Sequence, residues 1–486
     1  MTDKIMQLVS TVNAVLSDYV LIFLLCGAGL YFTVITRFVQ IRYFKAGLHQ
    51  VLGNFAWHGK NSSGGLTPYQ ALSAAIAAQV GTGNIVGASG AILTGGPGAI
   101  FWMWVIAFFG MATSYAEAVL GQLTRKKTSD GQWQGGPVYY LKLAYPGRFG
   151  RFLAVFFSAA IIIAIGFMGS MVQANSIGET GALALKVPAW VIGLVISVIS
   201  GLILLGGVSR LAKVTEKLVP VMAMIYLAGG LVILCLRWRY LPETIGCIFR
   251  YAFAPEALLG GSFGHALKLA VGQGAKRGLF SNEAGMGTTP HAHAAAQVAH
   301  PHIQGTVAMI GVFFDTIVVL NMTALVVIST LYTGDGIFAG VSGTAYRNTI
   351  LSCGLTKTNL MQYAFAVNTT ENAGNLFVAL CLLFFAFSTI ISWNYFGKVN
   401  FQYLFGKKYL PVYSALTVLS IFAGTMMKND LVWELQDMFN QLMVLPNVLG
   451  LAALGSLVRK CALHPTAEIR ISSDPTPGSA PLPESE

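Results

Sequence analysis

Charge is what this chain lacks most. Of 486 residues only 10% are Asp, Glu, Lys or Arg, while 55% are hydrophobic; a soluble domain carries roughly a quarter charged residues. So little charge cannot coat so much apolar material. Two or three soluble domains, which the length alone would allow, are excluded, and one integral membrane unit is implied. Cysteine is sparse as well: six in the whole chain, with no C-x-x-C or metal-type spacing, which excludes a disulfide-built secreted scaffold. The 30 Lys+Arg outnumber 19 Asp+Glu. However, no helix interleaves basic and aromatic residues, so nucleic acid is not an expected partner. No span carries a nucleophile–base pair or a metal motif, so an enzyme is not expected either, and no cofactor is implied. His291, His293, His300 and His302 form an H-x-H…H-P-H group, but the spacing fits no zinc pattern. They read as a loop of imidazoles at the inner end of a helix.

What the chain does have is long apolar runs, with a mean hydropathy of +0.65. A membrane span needs about 20 apolar residues. Runs near 14–36, 64–93, 97–124, 150–178, 188–207, 213–236, 258–295, 303–331, 372–397, 410–428 and 431–458 give eleven expected spans. The first is too long for a signal peptide, and its basic residues follow it. With the N-terminus outside, the inner segments hold 19 Lys and Arg and the outer segments 8, so the C-terminus is expected in the cytoplasm. The stretch RFVQIRYFKAGLHQVL (37–52) is expected to lie on the inner membrane face. Residues 332–370 read as the longest loop, outside, and the tail from about 465 has too little apolar surface to fold. The expected organisation is an N-terminal helix with an amphipathic segment (1–63), two five-helix units (64–236 and 258–458) and a tail (459–486).

Two spans differ from the rest. The second, LTPYQALSAAIAAQVGTGNIVGASGAI, carries Gly81, Gly83 and Asn84 at mid-depth. The seventh, AVGQGAKRGLFSNEAGMGTTPHAHAAA, carries Gly278, Ser281, Asn282, Glu283, Gly285 and Gly287. Such backbone is tolerated in a membrane only where it faces protein or a water-filled cavity. Close helix packing alone would explain the glycines, but not the Asn, Ser and Glu beside them. Setting the first span aside, each broken span opens a unit of five. Five is odd, so the second unit must insert inverted, which is the pattern of secondary transporters that bind substrate at the break. The GTGNIVG stretch is no dinucleotide fingerprint, because it lies inside a span without a βαβ unit.

Asp315 sits mid-span in GVFFDTIVVLNM. An acid at that depth is a functional candidate by default, here for a sodium site or for coupling. A structural pin to Glu283 or Lys276 is the other possibility. For Glu117, pairing with Arg277 or capping of a freed backbone group is the favoured reading, while Lys276 and Arg277 could pair or gate.

The stretches QVGTGNIVGASGAILTGGPGAIFWMW, MATSYAEAVLGQL, GGPVYYL and GLFSNEAGMGTTP, with FFDT in the next span, resemble the alanine/glycine:cation symporter family, the bacterial sodium:alanine symporters. The resemblance runs over about 15–455. It implies an all-α membrane protein of the leucine-transporter type, an inverted 5+5 repeat with an added N-terminal helix. It also implies sodium-driven uptake of alanine or glycine, D-alanine included, by alternating access in a bacterial inner membrane. By the same resemblance the amides of Thr82 and Gly83 receive the substrate carboxylate, and Asn84 and Ser281 ligate sodium. Asn282 lies beside the substrate. Ser388 and Thr389 ligate a second sodium with carbonyls near Ala77 and Val80, and Thr389, Trp393 and Gln173 line the pocket. Independently, sodium as a hard cation suits neutral oxygen ligands, and a zwitterion's carboxylate can help to coordinate it. The alternatives are proton coupling through Asp315 or Glu283, and a channel. A channel would call for repeated filter loops or charged rings in place of two inequivalent breaks.

Overall fold

The computed structural model describes residues 2–53, 66–128, 131–204 and 207–466. Residues 54–63 of the expected N-terminal unit and the tail beyond 466 lie outside them. The described chain is mostly helix, with a short antiparallel ribbon, Lys126–Lys127 with Trp133–Gln134, and an isolated parallel bridge between Leu66 and Ala296. Helix is what lipid demands, because it satisfies its own N–H and C=O groups where water is missing.

Among the described residues, five helices are long and apolar enough to cross a bilayer: Gly98–Thr124, Arg148–Leu185, Val214–Leu236, Pro301–Leu331 and Glu371–Phe405. Two bent pairs pass the same measure together, Pro68–Gln79 with Gly83–Gly95 at 45° and Asn429–Ala453 with Gly455–Leu463 at 60°. Ile22–Ile35 and Ala189–Leu204 are apolar but shorter. The expected seventh span is instead a 20-residue helix, Phe263–Asn282, followed by a break and the short helix Pro290–Ala294. Its lysine, arginine and amide side chains keep it below that apolarity.

The N-terminal helix packs its Phe32 face on Gly98–Thr124. A Cβ at Gly29 would stand 2.6 Å from that of Phe109, so the close crossing requires glycine. The chain then turns through left-handed Arg37 and Phe38 (φ 54° and 57°) into the helices Val39–Arg42 and Phe44–Gly53.

Two expectations need correction. Residues 332–370 hold two helices, Gly343–Ser352 and Leu360–Asn368, and buried Tyr346 bonds Tyr332 (2.8 Å) and the Leu93 carbonyl (3.1 Å). Each helix is too short, and too rich in Gly and Thr around it, to show as a periodic run. The tail begins later than 459, because Gly455–Leu463 is helical and buries Val458, Cys461 and Ala462.

Candidate functional site

The first broken span starts with a reciprocal cap: the Gln70 amide N–H donates to Thr67 Oγ1, and the Gln70 side chain accepts from the Thr67 N–H. The helix runs to Gln79 and stops at Val80, whose backbone is extended (φ −77°, ψ 91°). It resumes as a π-helical turn, Gly83–Gly87, a form frequent at functional sites. The second broken span stops at Glu283, held left-handed at φ 58°, with Gly285 and Gly287 also at positive φ.

The two breaks touch. A Cβ on Gly83 would stand 2.9 Å from Ser281 Cα, and one on Gly81 would collide with Thr389 Oγ1. Gln79 Nε2 donates to the Asn282 carbonyl at 2.8 Å, so the last residue of one half-helix satisfies a group freed by the other break. Towards one face, the Leu66 N–H donates to the Ala295 carbonyl and the Gln297 N–H to the Leu66 carbonyl.

Buried Asp315 sits at this junction, on a second π-helical segment, Phe314–Leu320. Its carboxylate accepts from Asn84 Nδ2 (2.7 Å), Ser281 Oγ (2.8 Å) and Thr316 Oγ1 (3.1 Å). Neither Glu283 nor Lys276, the partners considered from sequence, contacts it by hydrogen bond or ion pair among the described residues. Asn84 Oδ1 accepts from the Gly81 N–H (3.0 Å), so one side chain ties the break to the acid. Asn282 donates to Thr316 Oγ1 (3.2 Å).

Across the first break, Thr389 Oγ1 lies 3.0–3.3 Å from the carbonyls of Ala77, Ala78, Val80 and Phe385. Ser388 Oγ lies 3.3 Å from the Ala77 carbonyl. A hydroxyl has one proton to give. Four carbonyl oxygens converging on it leave an excess of acceptors, the set a hard cation prefers.

The Thr82 N–H donates to Gln173 Oε1 at 3.1 Å. Thr82 Oγ1, Gln173 Nε2 and Gln79 Oε1 are buried and have no hydrogen-bond partner among the described residues. Three orphaned polar atoms around one break carry a desolvation cost of about 1–3 kcal/mol each, which a polar ligand would offset. Trp393 Nε1 donates to Glu283 Oε1 (2.5 Å), and Thr288 Oγ1 donates to Glu283 Oε2. The indole meets Phe280 edge-on (5.7 Å), Phe280 meets Trp433 (4.8 Å), and Arg277 lies 4.7 Å over Trp433.

Glu117 does not pair with Arg277. Its Oε1 accepts from the Gly287 N–H (2.8 Å) and Asn447 Nδ2 (2.7 Å), which realises the backbone-capping alternative. Arg277 instead forks onto Asp437 (3.1 and 2.8 Å), with Lys276 3.9 Å from the same carboxylate. Three of the four histidines are helical: His291 and His293 lie on Pro290–Ala294 and His302 on Pro301–Phe313, while His300 caps the latter from the bend before it. His291, His293 and His302 are buried. His291 Nδ1–H donates to the Thr288 carbonyl and its Nε2 accepts from Asn400, both at 2.8 Å; His293 bonds Gln304 and His302 bonds Tyr115.

Gln79 and Asp437 were missed from sequence, although each left a signal: an amide ending an alanine-rich run, and an acid within an expected span.

A family model described as the sodium:alanine symporter family matches residues 2–471. The chain belongs to this family. It is 38% identical over 454 residues to the sodium/alanine symporter AgcS of Methanococcus maripaludis, covering 93% of this chain and 95% of that one. An uncharacterized transporter of Haemophilus influenzae is 37% identical (93% and 94% covered). The probable sodium/glutamine symporter GlnT of Bacillus subtilis is 34% identical (96% and 92% covered). Among solved structures, MhsT in complex with L-phenylalanine superposes with a TM-score of 0.54 at 13% identity, over 84% of this chain and 100% of that one. The family member is thus a multi-pass membrane protein of the leucine-transporter fold.

Proposed function

We propose that this sodium:alanine symporter family member couples sodium entry to uptake of a small neutral amino acid, alanine, glycine or D-alanine, by alternating access. The observation that carries this is the contact of two broken helices at an oxygen-rich junction with orphaned buried polar atoms. The names of AgcS and GlnT support sodium as the coupling ion. In this reading Asn84, Ser281 and Asp315 form one sodium site, while Ser388, Thr389 and the carbonyls of Ala77 and Val80 form a second. The substrate sits against Thr82, Gly83, Gln173, Asn282, Thr389 and Trp393. Eleven spans, with inverted units 64–236 and 258–458, the N-terminus outside and the C-terminus in the cytoplasm of a bacterial cell, complete it. The excess of Lys and Arg in the inner segments supports that orientation.

A zwitterion crosses with no net charge, so the cotransported cation supplies the electrical drive. Each inward charge is worth about 2.3 kcal/mol per 100 mV. Mutual contact of sodium and carboxylate makes their binding reciprocally favourable.

The test is radiolabelled alanine uptake into proteoliposomes with and without an inward sodium gradient, with glycine, D-alanine and glutamine as competitors. Linear, unsaturable flux, or uptake indifferent to sodium, would overturn the proposal. A second reading, proton coupling, is favoured by one observation. Buried Glu283 is held by neutral donors, Trp393 and Thr288, with no cation bonded to it among the described residues. Uptake that survives choline for sodium at fixed pH, and follows a proton gradient, would select it.

Two variants probe the pocket. Thr389→Ala is expected to raise the sodium concentration for half-maximal uptake about tenfold or more, the worth of one hydrogen bond to a charged group, while Thr389→Ser stays near wild type. Trp393→Ala is expected to admit larger side chains. Competition by leucine should strengthen about 10- to 200-fold relative to glycine, the range for added methylenes in a pocket.

A further inference from the structure

Away from the broken helices, a cavity of about 420 Å³ opens between the end of Ile22–Ile35 and the helix Gly455–Leu463. One wall is Tyr31 and Ile35; the other carries Ser456, Arg459, Lys460 and His464. Arg459, Lys460 and His464 are exposed, and among the described residues no carboxylate pairs with any of them. The apolar flank continues along the helix surface through exposed Leu30 and Val34, the lipid-facing side of an apolar helix. A cationic recess at the foot of an acyl-chain track is the arrangement that anionic headgroups recognise. It lies apart from the proposed transport site and does not depend on that reading.

We propose that this cavity holds the phosphodiester headgroup of one anionic phospholipid. Arg459 and Lys460 meet the phosphate, Ser456 and Tyr31 are placed to bond its ester oxygens or glycerol hydroxyls, and the acyl chains run along Leu30 and Val34. Arginine matches phosphate oxygens with a planar fork, while lysine supplies a point charge. A free phosphate would use the same cations but none of the apolar flank.

The test uses the full-length purified protein with phosphatidylglycerol, phosphatidylcholine of the same chains, and inorganic phosphate as probes, and counts retained molecules by native mass spectrometry. One phosphatidylglycerol should be retained in preference to phosphatidylcholine. Arg459→Gln with Lys460→Gln should weaken that retention about twentyfold, and Lys460→Gln alone about fivefold, as expected of one surface cation facing an anionic lipid. Lys126→Gln with Lys127→Gln, exposed elsewhere, should leave it unchanged. Equal retention in the Arg459/Lys460 variant, an equal loss in the Lys126/Lys127 variant, or inorganic phosphate displacing the lipid at equal concentration would each overturn the proposal.

Discussion

Replacing Asp315 by asparagine is expected to raise the sodium concentration for half-maximal uptake by about 10- to 1,000-fold while leaving the protein folded. The upper figure follows from Coulomb's law. A unit charge 4 Å from another is worth about 4 kcal/mol at an effective dielectric near 20, and tenfold corresponds to about 1.4 kcal/mol. Relaxation of Asn84 and of nearby polar groups reduces this towards the lower figure. Asparagine keeps the shape, and its carbonyl oxygen can still accept from Ser281 Oγ or Thr316 Oγ1, which now lie 2.8 and 3.1 Å from the carboxylate. Its amide, however, would face the Asn84 amide donor, which now bonds the acid at 2.7 Å. One of those two side chains must turn, and Asn84 is the group that holds the Gly81 N–H.

Asp315→Ala goes further, because it strands three donors. Each buried polar group without its partner costs about 1–3 kcal/mol, so a loss of several kcal/mol of stability is expected beside the loss of uptake. Sodium titrations of uptake and thermal denaturation, run on both variants, separate charge from scaffold. If Asp315→Asn transports with an unchanged sodium requirement, the acid is a structural pin and the first sodium site is misassigned.

The Asp315 cluster also shows how far the sequence alone reaches. That Asn84, Ser281 and Asp315 are candidate site residues follows from their being polar at mid-depth in apolar spans, because lipid penalises such groups wherever they lack a purpose. That they meet, 34 and 231 residues apart along the chain, does not follow from local spacing. Nor does the pairing of Arg277. Periodicity reports which face of a helix is buried but not what stands opposite, so Glu117 and Asp437 were equally available to it in sequence. The helices at 343–352 and 360–368 stayed hidden for another reason. Short helices draw their stability from tertiary packing rather than propensity, here from Tyr346 under Tyr332. The Gly-rich breaks were legible because they violate the rule the surrounding spans obey.

Arg277 and Asp437 supply the second large effect. The fork is bidentate and both side chains are buried, at 8% and 4% exposure. It joins the helix leading into the second break, Phe263–Asn282, to Asn429–Ala453, above the ring column of Trp433, Phe280 and Trp393. In the proposed alternating cycle, we take this pair as the closure over the proposed pocket. In a transporter that alternates, it must break and reform in every cycle. Asp437→Asn leaves a buried guanidinium without its counter-charge, so about 3–5 kcal/mol of stability should be lost, and uptake with it. Arg277→Met combined with Asp437→Leu removes both charges, and such replacements are often neutral or stabilising by about 1–4 kcal/mol. The double variant should therefore regain the thermal stability of the wild type, while its uptake stays below about a tenth, since an apolar cover gains nothing from water when it opens. Denaturation midpoints and alanine uptake, measured on the singles and the double, decide between the two roles. If stability and uptake return together in the double variant, the pair only buttresses the helices and the route is closed elsewhere.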